Sequence, residues 1–200
     1  MKITLIYLAS GFSRRFGSNK LLYPINGKPM YEHTLASLIR LEEKYHAKFD
    51  ELQEDCPIHL QIILVTQYAQ IAQYALNHGV KVVRNKMAQE GITASIRLGV
   101  EAAKDSDWYA FFVADQPYLQ EKTIRSFLTA AMESGKTMAS VISSGVPGNP
   151  TVFHKIWTSS LLSLTGDRGG RILLNQHPEQ VFWYEVEKEE VKDIDFQNFS

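Results

Sequence analysis

Residues Trp108–Asp115 read WYAFFVAD, an unbroken apolar run that ends abruptly in a carboxylate. Both alternating faces of this run are apolar, so neither can face water. A strand of that kind belongs in the middle of a parallel sheet, with helices covering it on each side. Working outward, Lys2–Leu8 (KITLIYL), Leu60–Val65, Lys81–Arg84 and Thr137–Ile142 read as further strands, and segments of helical periodicity lie between most of them. Tyr31, Leu35, Leu38 and Tyr45 share one face of a helix that Pro29 can open. Ile96, Gly99, Val100 and Ala103 line a second helix, with Thr93 placed to cap its start, and Ile124, Phe127, Leu128 and Ala131 stripe a third. Ser143–Pro150 reads as a turn-rich segment, and Glu42–Asp55 as a charged, exposed extension of the first helix. The alternation predicts an α/β fold: one doubly wound, mainly parallel sheet with helices on both faces. Ligands of such sheets sit beyond the carboxyl ends of the strands. The loops after Leu8 and after Ala114 are therefore the places to look for function.

The chain has 200 residues, 44% of them hydrophobic, which is enough for one buried core and predicts a single domain over 1–200. Its 21 basic and 22 acidic residues give a net charge of −1, so no global field gathers nucleic acid or an anionic membrane. Any anion must be caught by a local site. The lone cysteine, Cys56, excludes an intramolecular disulfide and a cysteine metal cluster, in keeping with a reducing cytoplasm. None of the six histidines shows a metal-binding spacing. The opening apolar run is short and is followed by Gly11, Arg14 and Arg15, so neither an export signal nor a membrane span is expected.

The loop after the first strand, LASGFSRRFGSNKLL from Leu8 to Leu22, combines small residues, glycines and cations. A triphosphate needs backbone N–H groups that approach its oxygens closely, and fixed positive charge for its outer phosphates. Gly11, Gly17, Arg15 and Lys20 meet both needs, although a polar surface loop could have the same composition. The spacing matches neither the P-loop nor the dinucleotide-binding glycine pattern. Asp115, at the end of WYAFFVA, should emerge at the carboxyl edge of the sheet and face this loop. There it could hold a magnesium ion, which takes one or two carboxylates together with substrate phosphates, or it could simply cap a helix.

LASGFSRRFGSNKLL resembles the LAAG-x-S-x-R-x-G-x-x-K signature of nucleotidyltransferases of glycosyltransferase-A-like fold. ADQPYL at 114–119, Asn85 with EGITASIRLG, GVPGNP at 145–150 and LTGDRGGRILL at 164–174 are similar to further elements of the molybdenum cofactor cytidylyltransferases in that family. The resemblance implies that Leu8, Ala9, Ser10 and Gly11 wrap the nucleotide, with Arg15 and Lys20 neutralising its triphosphate and Arg14 a less certain contact. It implies that Asp115 binds Mg²⁺, or Mn²⁺ in its place, that Ser95 helps hold the base, and that Gly148, Asn149 and Pro150 line an acceptor pocket. Arg168 and Arg171 are candidates for the acceptor's anionic groups, although Arg171 could instead pair with Asp167 four residues earlier on a helix. Asp193-Ile194-Asp195 looks like the family's DIDT element, with Phe196 in place of the threonine. Asp195 is thereby implied as a second metal ligand and Asp193 as its rival.

The implied reaction transfers CMP from CTP to the terminal phosphate of a molybdopterin-type acceptor and releases pyrophosphate. Arg15, Lys20 and Asp115 would be the catalytic residues, and a molybdoenzyme or its chaperone a further partner. Cytidylyltransferases of the family carry LAAG and guanylyltransferases LAGG, whereas this chain has Ser10 at the discriminating position, nearer to alanine in bulk. GTP or UTP with another phosphorylated acceptor is the enzymatic alternative, and a non-catalytic carrier of a finished cofactor the alternative of another class.

Overall fold

The computed structural model describes residues 1–12, 19–52, 58–166 and 169–194. Chain order begins with β1 (Lys2–Ala9), a small hairpin of β2 (Pro24–Ile25) and β3 (Lys28–Pro29), α1 (Met30–Leu52), β4 (His59–Thr66), α2 (Ala69–Asn77) and β5 (Lys81–Arg84). It continues with α3 (Ile92–Ala102), β6 (Trp108–Val113), α4 (Glu121–Glu133), β7 (Met138–Ser143) and β8 (Val146–His154). Two short helices, α5 (Thr158–Leu162) and α6 (Arg171–Gln176), precede β9 (Val181–Glu185).

The main sheet has seven strands in the order β5-β4-β1-β6-β8-β7-β9. β1 lies between two parallel neighbours, with Ala9 opposite Thr66 on β4 and Leu8 opposite Val113 on β6. The three strands therefore end at a common carboxyl edge. Because strand side chains alternate between faces, β1 feeds two cores. Leu5, Tyr7 and Ala9 pack with Leu35 and Leu38 of α1 and Phe127 of α4, whereas Ile6 and Leu8 pack with Ile96 and Val100 of α3 and Leu174 of α6. Burying each such large apolar side chain contributes about 1.5–3 kcal/mol. β6 divides its side chains in the same way, Ala110 and Phe112 to one core and Tyr109 and Phe111 to the other.

The predicted sheet and helices thus form, together with the unpredicted β2–β3 hairpin, α2, α5 and α6, and four further points differ. Ser143–Pro150 is mostly strand rather than turn: β7 and β8 are joined through Ser144 and Gly145, at φ of 51° and 78°. Two successive positive φ values make the tight reversal that suits a two-residue hairpin. The residues after it become the antiparallel strand between β6 and β7. β9, which pairs parallel with β7, was not anticipated. Thr93 does not cap α3. Gly91 occupies that place at φ 85°, a conformation that favours glycine, and the Thr93 hydroxyl donates to the Gly166 carbonyl at 2.6 Å. Finally, α1 extends to Leu52 as expected, yet Glu42 does not face only solvent. Its carboxylate accepts the Ile62 N–H of β4 at 3.0 Å, and burial pushes its pKa up. Cys56 lies outside the described residues. No helix among the described residues is long and apolar enough to cross a membrane.

Gly99 permits the close approach of α3 to β1, since a Cβ there would come within 2.5 Å of the Ile6 Cγ2. Ile6 is β-branched and fully buried, so it has little freedom to move aside. Gly99→Ala should therefore destabilise the protein by about 1–3 kcal/mol in urea unfolding, despite alanine's intrinsic helix advantage of about 1 kcal/mol. A gain in stability would show that helix and strand are not in contact at this point.

Candidate active site

The segment leaving β1 is tied to the end of β4 by its carbonyl groups. The Thr66 hydroxyl donates to the Ala9 carbonyl at 2.7 Å, the Gln67 amide to that of Ser10 at 2.7 Å, and the Tyr68 hydroxyl to that of Gly11 at 2.6 Å. Burial raises the Tyr68 pKa, which keeps the phenol a donor. The Ser10 hydroxyl turns back to the Val65 carbonyl at 3.2 Å. Space around Gly11 is open, as nothing lies within 4 Å of where a Cβ would stand. Arg14, Arg15 and Gly17 lie outside the described residues.

Lys20 opens a single 3₁₀ turn, Lys20–Leu22, held by the Asn19 carboxamide oxygen accepting the Leu21 N–H at 3.1 Å and by burial of Leu21. Its ammonium donates to Asp115 Oδ2 at 2.8 Å. Asp115 sits just beyond β6, as the run WYAFFVA predicts, and both side chains are largely shielded, at 13% and 25% exposure. An ion pair so placed is stronger than one in open water, because less solvent screens it. Beneath it, the Tyr7 hydroxyl donates to the Tyr31 carbonyl at 2.7 Å. Complete burial, with the Asp115 charge adding to it, pushes the Tyr7 pKa well up, so this phenol holds its proton.

A small cavity of about 140 Å³ is lined by Ser10, Gly11, Lys20, Gly91, Ser95 and Asp115. The sequence-predicted nucleotide residues Leu8, Ser10, Gly11, Lys20 and Ser95 thus meet at one place, whereas the Ala9 side chain packs into the core on the opposite face. Ser95 is buried and accepts the Asn85 amide at 3.0 Å, while the Asn85 side-chain oxygen takes the Met87 N–H at 2.9 Å.

A larger cleft of about 600 Å³ adjoins it, sharing Leu8 and Ile92. Gly148, Asn149 and Arg171 line this cleft. Pro150, joined to Asn149 by a cis peptide bond, is buried and does not line it. Arg171 begins α6, and Asp167 and Arg168 lie outside the described residues.

Sequence reasoning missed Gln116, Lys188 and Lys192 as lining residues of the cleft, whose wall also holds Asp193, named there only as a rival metal ligand. The Gln116 amide donates to the Val191 carbonyl at 3.0 Å and to Asp193 Oδ1 at 2.9 Å. The Ile194 N–H donates to the Asp115 carbonyl at 3.1 Å, so Asp193 and Ile194, the described part of the DID element, run beside Asp115. Asp195 is outside the described residues. Among the described residues no cluster of three or more His, Cys, Asp or Glu could hold a metal by itself. A site of one carboxylate supplemented by substrate phosphates is the arrangement that fits Asp115.

Residues 5–181 match the model of the MobA-like NTP transferase domain. Over 38 residues, 19% of this chain and 20% of the relative, the sequence is 55% identical to a probable molybdenum cofactor guanylyltransferase of Pyrococcus horikoshii. Over 123 residues, 48% of this chain and 54% of the relative, it is 30% identical to the 2-C-methyl-D-erythritol 4-phosphate cytidylyltransferase of Bacillus mycoides. The chain thus spans 20% and 54% of the lengths of these curated relatives. A solved structure of Rv0371C from Mycobacterium tuberculosis H37Rv, in complex with manganese, superposes with a TM-score of 0.74 at 21% identity, covering 99% of this chain and 95% of that one. An α/β sheet whose strand ends gather Ser10, Gly11, Lys20 and Asp115 around one cavity, matched over most of its length by that family model, makes this chain a member of the MobA-like NTP transferase family.

Proposed function

We propose that this chain, acting as a single-domain nucleotidyltransferase, transfers CMP from CTP to the terminal phosphate of molybdopterin and releases pyrophosphate. The observation that carries this reading is the Lys20–Asp115 pair, held at 2.8 Å in the wall of the small cavity, which shares Leu8 and Ile92 with the larger cleft. The small cavity would take the part of the nucleotide that faces Lys20 and Asp115, and the larger cleft beside it an acceptor. An oxygen of the acceptor's phosphate attacks the α-phosphorus of CTP in line. The new P–O bond forms as the bond to the β-phosphate oxygen breaks, and that electron pair leaves with pyrophosphate. A phosphate monoester is already anionic near neutral pH, so no strong general base is needed, and catalysis reduces to positioning and charge stabilisation.

Lys20 serves the triphosphate in the ground state and the charge that grows on pyrophosphate. Arg15 shares that work. A divalent metal, Mg²⁺ or the Mn²⁺ present in the Rv0371C structure, offsets phosphate charge when bound, with Asp115 as its carboxylate and Asp195 or Asp193 as a second. Ser10, Gly11 and Ser95 contact the nucleotide; Gly148, Asn149, Arg168 and Arg171 contact the acceptor. GTP is the second reading, favoured by the stretch of 55% identity to the probable guanylyltransferase. Against it, Ser10 carries a β-carbon and hydroxyl where the guanylyltransferase pattern has glycine.

Asp115→Ala should abolish metal-dependent pyrophosphate release while the melting curve stays close to that of the wild type, because the residue lies beyond the end of β6. Activity within about tenfold of wild type, a barrier change of only about 1.4 kcal/mol, would overturn the metal role. Lys20→Ala should raise KM for the NTP and lower kcat together, at a total cost of about 1.5–3 kcal/mol in kcat/KM. Side-by-side turnover should give higher kcat/KM for CTP than for GTP, and Ser10→Gly should narrow the gap by about 1–3 kcal/mol. A wild-type preference for GTP refutes the cytidylyl assignment.

A further inference from the structure

The segment after β9 runs along the large cleft as a strap with its own anchors. The Val186 N–H donates to the Ile142 carbonyl at 3.0 Å, and Ile194 is buried with its N–H on the Asp115 carbonyl at 3.1 Å. Between them Glu190, only 7% exposed, accepts the Gln120 N–H through Oε2 at 3.1 Å and the Thr123 hydroxyl through Oε1 at 3.0 Å. Gln120 is the N-cap of α4 and lacks a side-chain cap of its own, so the Glu190 carboxylate supplies an acceptor at the positive end of that helix. Gln116 adds the hydrogen bonds to Val191 and Asp193. The anchors fall at residues 186, 190 and 194, and two lysines, at 188 and 192, alternate with them and line the cleft.

Charge in the cleft is one-sided. Its described charged lining residues are Arg171, Lys188 and Lys192 against Asp193 alone, whose Oδ1 already accepts from Gln116. Lys192 is held only loosely, 3.9 Å from Glu189 on the exposed side, so its ammonium can swing to a ligand. The body of the cleft is different in character, with Ile92, Ile96, Phe111, Leu174 and Val191 forming an apolar surface. Such a cleft matches a heterocycle that packs on the apolar surface and carries an anionic arm.

We infer that the strap from Val186 to Ile194 is a wall of the acceptor site, on which Lys188 and Lys192 bind the anionic group of an amphipathic heterocyclic phosphate. The inference rests on reading the large cleft as the acceptor site. It assigns the acceptor's charge to the strap, ahead of the α6 end of the cleft where Arg171 stands. It also gives the buried Glu190 carboxylate a reason to be there: a strap carrying two cations needs a fixed path, or their entropy cost on binding rises.

Flavin mononucleotide and riboflavin test this without turnover, because they share a heterocycle and differ by a phosphate monoester. Binding is followed by quenching of flavin fluorescence at fixed ionic strength. The wild-type protein should bind the phosphorylated flavin at least about tenfold more tightly than riboflavin, the Lys188→Ala/Lys192→Ala variant should lose that preference, and its affinity for CTP should stay within about twofold. Lys188→Arg/Lys192→Arg, which keeps both charges, should retain the preference. Equal affinity of the wild type for the two flavins overturns the inference, and so does an alanine variant that still prefers the phosphorylated one. Failure of molybdopterin to yield pyrophosphate would overturn the proposed reaction and leave these titrations standing.

Discussion

Burial of β1 on both faces is the constraint on which the rest of the molecule depends. A strand with parallel partners on each side and a hydrophobic core above and below can reach solvent only through its ends, and the loop that carries polar groups follows its carboxyl end. Parallel register with β4 and β6 brings three such ends to the same edge. Whatever polar chemistry follows these strands is therefore concentrated there: Ser10 and Gly11 after β1, Thr66 and Gln67 at the end of β4, Asp115 after β6. The carbonyls of Ala9, Ser10 and Gly11 are taken by the Thr66–Tyr68 turn, which fixes the first part of the loop before any ligand arrives. Preorganisation of this kind lowers the ordering cost that substrate binding would otherwise carry.

Against this rigid edge, the charged groups are held by bonds of a different kind. Lys20 and Asp115 pair with each other, and in the reaction proposed above one would serve the triphosphate as a cation and the other as a metal carboxylate. The pair holds the two charged groups in a mutually neutralising arrangement. Its partial exposure lets a polyanion compete for the lysine and a cation for the aspartate. Tyr7, beneath the pair, is buried deeply enough to stay protonated, so the floor of the site contributes shape and hydrogen bonding without adding charge.

Much of this organisation was legible in the residues themselves. The apolar run Trp108–Ala114 identifies a central strand, and the carboxylate that terminates it can only lie at the strand's end, so the placement of Asp115 follows from local pattern. Helix stripes such as Ile124, Phe127, Leu128 and Ala131 are equally local, and all four are buried as expected. Where local pattern misled, two uses of the same residue types compete. Ser144 and Gly145 signal a turn, but their positive φ values make a hairpin whose second arm is a strand. Thr93 is a good cap in isolation, yet Gly91 takes the cap and the Thr93 hydroxyl serves a carbonyl on a loop distant in sequence.

The sequence by itself determined the main-sheet strands up to β7 and the three striped helices, the glycine and cation content of the first loop, and the carboxylate at the end of the central strand, because each depends on neighbours within a few residues. Only the tertiary structure decided the antiparallel place of β8, the meeting of Lys20 with Asp115 across 95 positions, and the course of the tail. In the sequence, EKEEVKDID at 187–195 is a run of charges with no periodicity to place it. In the fold, Glu190 is buried on α4, Gln116 holds Val191 and Asp193, and two lysines line a cleft. The physical reason is that a charged side chain's role depends on which distant polar groups are left for it to satisfy, and no local periodicity records that.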